Sequence, residues 1–333
     1  MRLASFVIAT LLPAGLLALG SVWGGAWIWA GALSVMILWL AMDKVTLLAP
    51  ADRAGRAIGD GLLVVLAILQ FTHLALGIRA ITIGLEGWDR VAAFAGFGVF
   101  LGQIGNPAAH ELIHRSQRGL FRLGAAVYAL MLFGHHVSAH RLVHHVHVGT
   151  PQDPNSARRG MGFWRFLPRA WIGSFRAGLA AERARSKASG RRNPYAVYLL
   201  ASALFLGISA LLFGPMGVVV HAALAAYAQS QLLVSDYVQH YGLRRSLRPD
   251  GKAEPVGPRH SWNARGWYSS AMMLNAPRHS DHHAHPSRPY PQLDLTPEMP
   301  LLPAPLPAMA MLALVPPLWR RVMDPRLDRL AAN

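Results

Sequence analysis

The sequence predicts an all-α integral membrane protein, with six transmembrane helices carrying a histidine-rich domain on the cytoplasmic side. Three observations point there. Of the 333 residues, 53% are hydrophobic and only 14% are charged, a balance that suits lipid rather than water as the main solvent. Six stretches are about 20 mostly apolar residues long, the length that crosses the hydrocarbon core. Finally, 32 Lys and Arg face 16 Asp and Glu, and fourteen of the basic residues, with only Asp153 and Glu182 against them, lie between Arg115 and Arg192.

The first span covers 3–20. A cleaved signal peptide is the competing reading of this start, but Leu-Gly-Ser-Val-Trp at 19–23 makes a poor cleavage site and apolar residues resume at once. The second, 22–42, forms a hairpin with the first because the link from Gly20 to Gly24 is short and uncharged. Asp43, Lys44, Arg53 and Arg56 then mark a cytoplasmic loop, which sets the orientation by the positive-inside rule. Spans 60–82 and 91–112 follow, joined by a far-side turn at 83–90. The basic segment 113–194 is cytoplasmic. Spans 195–213 and 215–238 reverse at Phe213-Gly214-Pro215, and Arg244-Arg245 opens the cytoplasmic segment 239–333. The chain, 1–333, reads as a single membrane-bound domain. Leu123 to Phe133 is too short to cross and is expected as an interfacial or buried helix, as is 300–319. Pro289, Pro291, Pro297, Pro300, Pro303, Pro305 and Pro307 predict a mostly irregular tail, since proline removes a backbone donor and interrupts helices. There is no internal repeat and no long low-complexity tract.

A net charge of +16 invites a nucleic-acid partner, but the charge lies between apolar blocks, where topology explains it. There is no cysteine, so disulfides, thiolate zinc sites, iron–sulfur clusters and a fused rubredoxin-type module are excluded. Any metal must be held by histidine or carboxylate.

The 16 histidines are placed to do so. Apart from His73 and His221, all lie at or beyond the cytoplasmic ends of the proposed spans. His110 and His114, in His-Glu-Leu-Ile-His, are four apart and share one helical face. The same spacing recurs at His140 and His144, with His145 adjacent. His279, His282 and His283 form a third cluster, and His240 stands alone after the sixth span. One tetrahedral zinc uses four ligands at most, so nine imidazoles fit two metals better. Imidazole alone does not choose among iron, zinc, copper and nickel.

These segments resemble the membrane alkane hydroxylase family, within the larger group of membrane fatty-acid desaturases and xylene monooxygenase. His-Glu-Leu-Ile-His-Arg (110–115) looks like its first box, and His140 with His144-His145 and Thr150-Pro151-Gln152-Asp153-Pro154 like its second. Arg-His-Ser-Asp-His-His-Ala (278–284) is similar to its third. His240-Tyr241-Gly242-Leu243 resembles the motif peculiar to alkane hydroxylases, and Leu314 to Trp319 with Met323-Asp324-Pro325 the C-terminal segment.

The resemblance implies six helices capped by a cytoplasmic diiron domain. It implies two non-haem irons held by His110, His114, His140, His144, His145, His240, His279, His282 and His283, with no haem and no bound flavin or NAD. Ala139, Val143, Gln152 and Gln239 stand where the family usually has Glu, Gly, Glu and Glu. Glu111, Asp153 and Asp281 remain as candidates to accept imidazole N–H bonds, with Gln239 beside them. His135, His136, His147, His260 and His285 are expected as polar neighbours, and His73 as an intramembrane histidine bonded to a neighbouring helix.

The implied reaction is O₂-dependent hydroxylation of an unactivated, terminal C–H bond in an alkane or similar apolar molecule. The two electrons come from a rubredoxin or ferredoxin with its reductase. Arg158, Arg159, Arg165, Arg169 and Arg176 are candidates to steer that acidic donor, although topogenic charge and anionic-lipid contact explain most of them equally well. The expected location is a bacterial-type inner membrane, with membrane lipid rather than nucleic acid as the surrounding partner. A fatty-acid desaturase and a xylene-type methyl hydroxylase are the alternatives within this metal class. A zinc protease built on His110, Glu111 and His114 leaves the other seven of the nine histidines unexplained. A metal transporter would place its ligands at mid-membrane depth.

Overall fold

The computed structural model describes residues 3–45 and 56–332. The expected loop residue Arg53 lies outside the described residues. Among the described residues there is no strand; the backbone is helical, with two isolated bridges at Leu247–Ala253 and Asn263–Leu301. Among the described residues four helices are long and apolar enough to cross a membrane: Leu3–Trp23, Gly59–Gly84, Gly87–Ile113 and Tyr195–His240.

α1 (Leu3–Trp23) and α2 (Gly25–Met36) form the expected hairpin. Their axes press together at small residues: a Cβ on Gly20 would stand 2.5 Å from the Ile28 Cα. Asp89 fastens this turn, accepting from the Gly25 N–H at 2.6 Å and the Trp29 indole at 2.9 Å. Trp23, Trp27, Trp29 and Trp88 are exposed around it, as tryptophans gather at membrane–water boundaries. The second span is not continuous as expected. Ile37 (φ −133°, ψ −15°) leaves the helix, which resumes as α3 (Leu38–Met42).

α4 (Arg56–Arg79) ends in a π-helical turn, Ala80–Gly84. α5 (Gly87–Phe100) runs through a second π turn, Leu101–Gly105, into α6 (Asn106–Ile113). A π turn opens the backbone by one residue per turn and is common beside functional sites. Gln70 reaches into this one and donates to the Leu101 carbonyl at 3.1 Å. α7 (Arg118–Leu130) is the expected short helix. α8 (His136–Ala139), a third π turn (His140–His144) and α9 (His145–His147) carry the second histidine cluster, and α10 (Phe163–Ser189) packs across α8.

α11 (Tyr195–His240) is helical by hydrogen bonding over 46 residues but folds back on itself at Gly214 (φ 67°, ψ −167°), a conformation essentially confined to glycine. The Ser209 hydroxyl meets His221 Nδ1 at 2.8 Å. Twelve residues of straight helix would separate those groups by roughly 18 Å, so the chain reverses where the sequence places its turn. α12 (Trp267–Met272) and α13 (His279–Ala284) follow. The tail is irregular only as far as Pro305; α14 (Leu306–Ala313) and α15 (Pro316–Ala332) are helical. Pro307 and Pro316 sit in first helical turns, where a missing N–H costs nothing. Tyr237, Tyr241 and Trp319 pack in tilted and edge-on contacts at 5.3–5.4 Å between ring centroids, which seats α15 against the end of α11 that carries His240.

Candidate metal centre

The nine histidines singled out by sequence converge at one end of the helices in two groups: His110, His114, His140, His145 and His282, and His144, His240, His279 and His283. Within each group the ring nitrogens lie within 4.8 Å of one another. The groups adjoin, with the His145 and His283 rings 4.5 Å apart.

Backbone geometry decides the membership. His110 and His114 share a face of α6, and His279 and His283 share a face of α13 while His282 turns to the other group. In the second cluster the π turn changes the count. His140 and His145, five apart, come together, and His144 is delivered to the second group. An ordinary helix would have paired His140 with His144.

The contacts are between Nε2 atoms. His140 Nε2 lies 2.8 Å from that of His110, 3.1 Å from His114 and 2.9 Å from His145, and His145 lies 3.2 Å from His282. In the second group His279 Nε2 stands 3.0 Å from His240 and 3.1 Å from His283. A neutral imidazole has one N–H, so one nitrogen facing three others cannot be explained by hydrogen bonding. Two nitrogens at right angles on one metal, each about 2.1 Å from it, would be about 3 Å apart, which is the spacing found. Burial, reinforced by neighbouring imidazoles, holds His114, His140, His145, His282 and His283 well below the usual histidine range. They stay neutral with lone pairs available, as a metal requires.

His144 differs. Burial opposes its charge, but Asp153, by charge and hydrogen bond, and Asp236 together outweigh it and raise its pKa. Its Nδ1 donates to Asp153 at 2.9 Å, and its buried Nε2 has no hydrogen-bond partner, which leaves that lone pair to the second group. Asp153 is itself fixed by the Ser156 hydroxyl at 2.7 Å and the Asn155 N–H at 3.0 Å.

The other carboxylates depart from expectation. Glu111 accepts from Arg115 at 3.1 Å and from the Tyr290 N–H at 3.1 Å, while Arg115 also reaches Asp60 at 2.7 Å. Asp281 binds Arg288 at 2.7 Å, the Asp294 N–H at 2.9 Å and His285 at 2.9 Å. Neither takes a bond from the nine; Glu111 anchors the Tyr290 backbone and Asp281 the segment from Arg288 to Asp294. Gln239 donates to the Ala276 carbonyl at 3.0 Å. Of the candidate steering arginines, Arg158, Arg165 and Arg176 are exposed. Arg159 pairs with Asp328 at 2.5 Å and Arg169 donates to the Pro154 carbonyl at 3.2 Å. His73 sets Nε2 2.9 Å from the Ala14 carbonyl of a neighbouring helix and Nδ1 2.9 Å from the Leu69 carbonyl of its own, and its tautomer decides which of the two it donates to.

A cavity of about 70 Å³ reaches His110, His140, His279 and His282. Through Gln103, Gln231, Ser235 and Met273 it adjoins a largely apolar cavity of about 290 Å³ walled by Trp39, Val99, Phe163, Leu306 and Met311. Asp236 lines the first cavity and is held by Asn155 at 2.6 Å. Sequence reasoning passed over it, although an acid inside an apolar span is a signal in itself.

The fatty acid desaturase family model matches residues 87–310. Alkane 1-monooxygenase 2 of Alcanivorax borkumensis is 32% identical over 82% of this chain and 71% of its own length. The chain belongs to the alkane 1-monooxygenase family, within the fatty acid desaturase group. Alkane 1-monooxygenase 1 of Pseudomonas aeruginosa is 36% identical over 72% of this chain, and the match spans 65% of that relative. The xylene/toluene monooxygenase hydroxylase component XylM of Pseudomonas putida is 28% identical over 94% of this chain and 85% of its own length.

Proposed function

We propose that this family member is a six-span, membrane-embedded diiron monooxygenase that hydroxylates an unactivated, terminal C–H bond of an alkane or similar apolar molecule. The observation that carries the reading is the convergence of nine imidazoles into adjoining groups of five and four at the end of an apolar cavity. Irons bound there would supply the O₂ chemistry that an unactivated C–H bond demands.

Neutral imidazoles present lone pairs without the cost of burying charge. Asp153 fixes the tautomer of His144, and the packing of Tyr237, Tyr241 and Trp319 holds the helix end bearing His240. The 290 Å³ cavity receives an apolar chain and keeps water from it, while Met273 and Gln231 narrow its approach to His279. The positive-inside bias of the arginine-rich segments supports a centre on the cytoplasmic side of an inner membrane, where a rubredoxin or ferredoxin would deliver electrons across the face bearing Arg158, Arg165 and Arg176.

A second reading, methyl hydroxylation of a substituted aromatic, is supported by the likeness to XylM over nearly the whole chain. Conversion of an alkane panel and of xylene under ¹⁸O₂, with His279→Ala as control, tests the proposal. Label in a terminal alcohol supports it. Unlabelled alkene means desaturation, and labelled benzylic alcohol alone means the second reading.

A further inference from the structure

We propose a second site on this protein: a two-part cleft on the histidine side of the membrane that binds an anionic phospholipid, headgroup in one part and acyl chain in the other. The headgroup part holds about 240 Å³ and is lined by Arg141, Arg185, Arg191 and Arg192 against one carboxylate, Glu182. That carboxylate accepts from the Ser138 hydroxyl at 2.7 Å and stands 4.0 Å from Arg185. It offsets one of four positive charges at most. Arg141 lies over the Phe121 ring, 5.0 Å from its centre, so its charge is held at the cleft rather than directed into solvent. Cations crowded around a concavity focus a positive potential there, and guanidinium groups match phosphate oxygens in pairs.

The neighbouring part fixes what kind of phosphate fits. Tyr198, whose hydroxyl meets that of Ser138 at 3.0 Å, also lines an adjoining cleft of about 300 Å³ with Leu132, Phe175, Leu199 and Leu206. This wall is apolar and opens beside Val197 and Leu200, which are 65% and 71% exposed on a helix suited to lipid. One polar handle is buried there: His135 is 5% exposed and its Nε2 has no hydrogen-bond partner, a group able to meet an ester or glycerol oxygen. A basic cleft joined to an apolar one through a single tyrosine matches a molecule with a charged head and a long tail. A free phosphate would use only the first part. An acidic protein would need an open surface rather than a concavity beside the lipid-facing helix.

The test uses the full chain, purified in detergent and delipidated, titrated with dioctanoyl phosphatidylglycerol or dioctanoyl phosphatidylcholine and read by native mass spectrometry. Phosphatidylglycerol should bind in preference to phosphatidylcholine. Arg185→Gln/Arg192→Gln, which removes two exposed charges, should weaken it about tenfold to thirtyfold, and Ala203→Phe, which fills the apolar part, should weaken it independently. Equal binding of the two lipids overturns the proposal. So does displacement by inorganic phosphate with Ala203→Phe silent, which would make this a free-phosphate site. Unchanged lipid binding in the arginine variant, with a slower rate from an acidic electron donor, would overturn it in favour of protein docking.

Discussion

If each histidine group holds one metal as proposed, replacing Asp153 by Asn should cost the protein the one beside His144 and spare the other. Asp153 is fully buried and touches a single histidine of the nine, His144, which belongs to the group with His240, His279 and His283. The change keeps size and shape but removes the charge that holds His144 Nδ1–H. A hydrogen bond to a charged group contributes about 1.5–3 kcal/mol, and losing the orienting partner of a metal-bound imidazole typically costs about 10–100-fold in affinity. A second effect has the opposite sign. Asp153 raises the pKa of His144, so in the apo protein the charged pair stabilises the fold below the ordinary histidine range and that contribution fades as pH rises through the raised value. Metal must displace this proton, and Asp153→Asn removes the competition. Above the raised pKa few protons remain to be displaced, so loss of orientation wins; the deficit should narrow as pH falls through it. Iron per chain under chelator challenge, measured across pH 6–8.5, reads both effects. One iron should be lost at about 10–100-fold lower chelator concentration while the other resists. Equal loss of both, or no change, would refute the assignment of Asp153 to a single group.

Three further outcomes are expected. Gly214→Ala should destabilise the protein by about 1–3 kcal/mol, seen as a lower thermal midpoint in detergent, because residue 214 adopts φ 67°, ψ −167°; an unchanged midpoint would argue against the reversal there. Met273→Trp should shift the product profile toward shorter chains with iron content retained, since Met273 lines both cavities where they adjoin; an unaltered chain-length profile would place the substrate path elsewhere. Tyr241→Phe should cost about 1–3 kcal/mol by removing the bonds to Asp324 and the Gly160 N–H, each 2.8 Å, and should lower iron retention if α15 steadies His240.

Much of the site was legible because histidines in helical register stand out in a chain whose remaining length is committed to lipid. Spacing alone brought His110 to His114 and His279 to His283. It could not divide the second cluster, because whether 140–144 winds as an α or a π turn depends on packing around it. The carboxylates were legible as residues but not as partners: Arg115, Arg288 and the Tyr290 N–H come from segments far along the chain, and they claim Glu111 and Asp281 first. Ala139 faces Gly178 so closely that a Cβ there would stand 3.1 Å away, a reason for a small residue that only the fold reveals. The helices Leu3–Trp23, Gly59–Gly84 and Gly87–Ile113 end within a few residues of their expected bounds; the break at Ile37 carries no mark in the sequence. A helix within 300–319 was expected and α14 lies there; the tail is more helical than its prolines suggested, because Pro307 stands in a first helical turn and α15 continues beyond 319.

The most direct test is metal analysis of the purified chain with X-ray absorption at the iron edge. The account requires about two irons per chain, one for each histidine group, with nitrogen-dominated coordination that falls when His140 or His279 is replaced by Ala. A single zinc, or iron whose surroundings do not respond to either replacement, would contradict it.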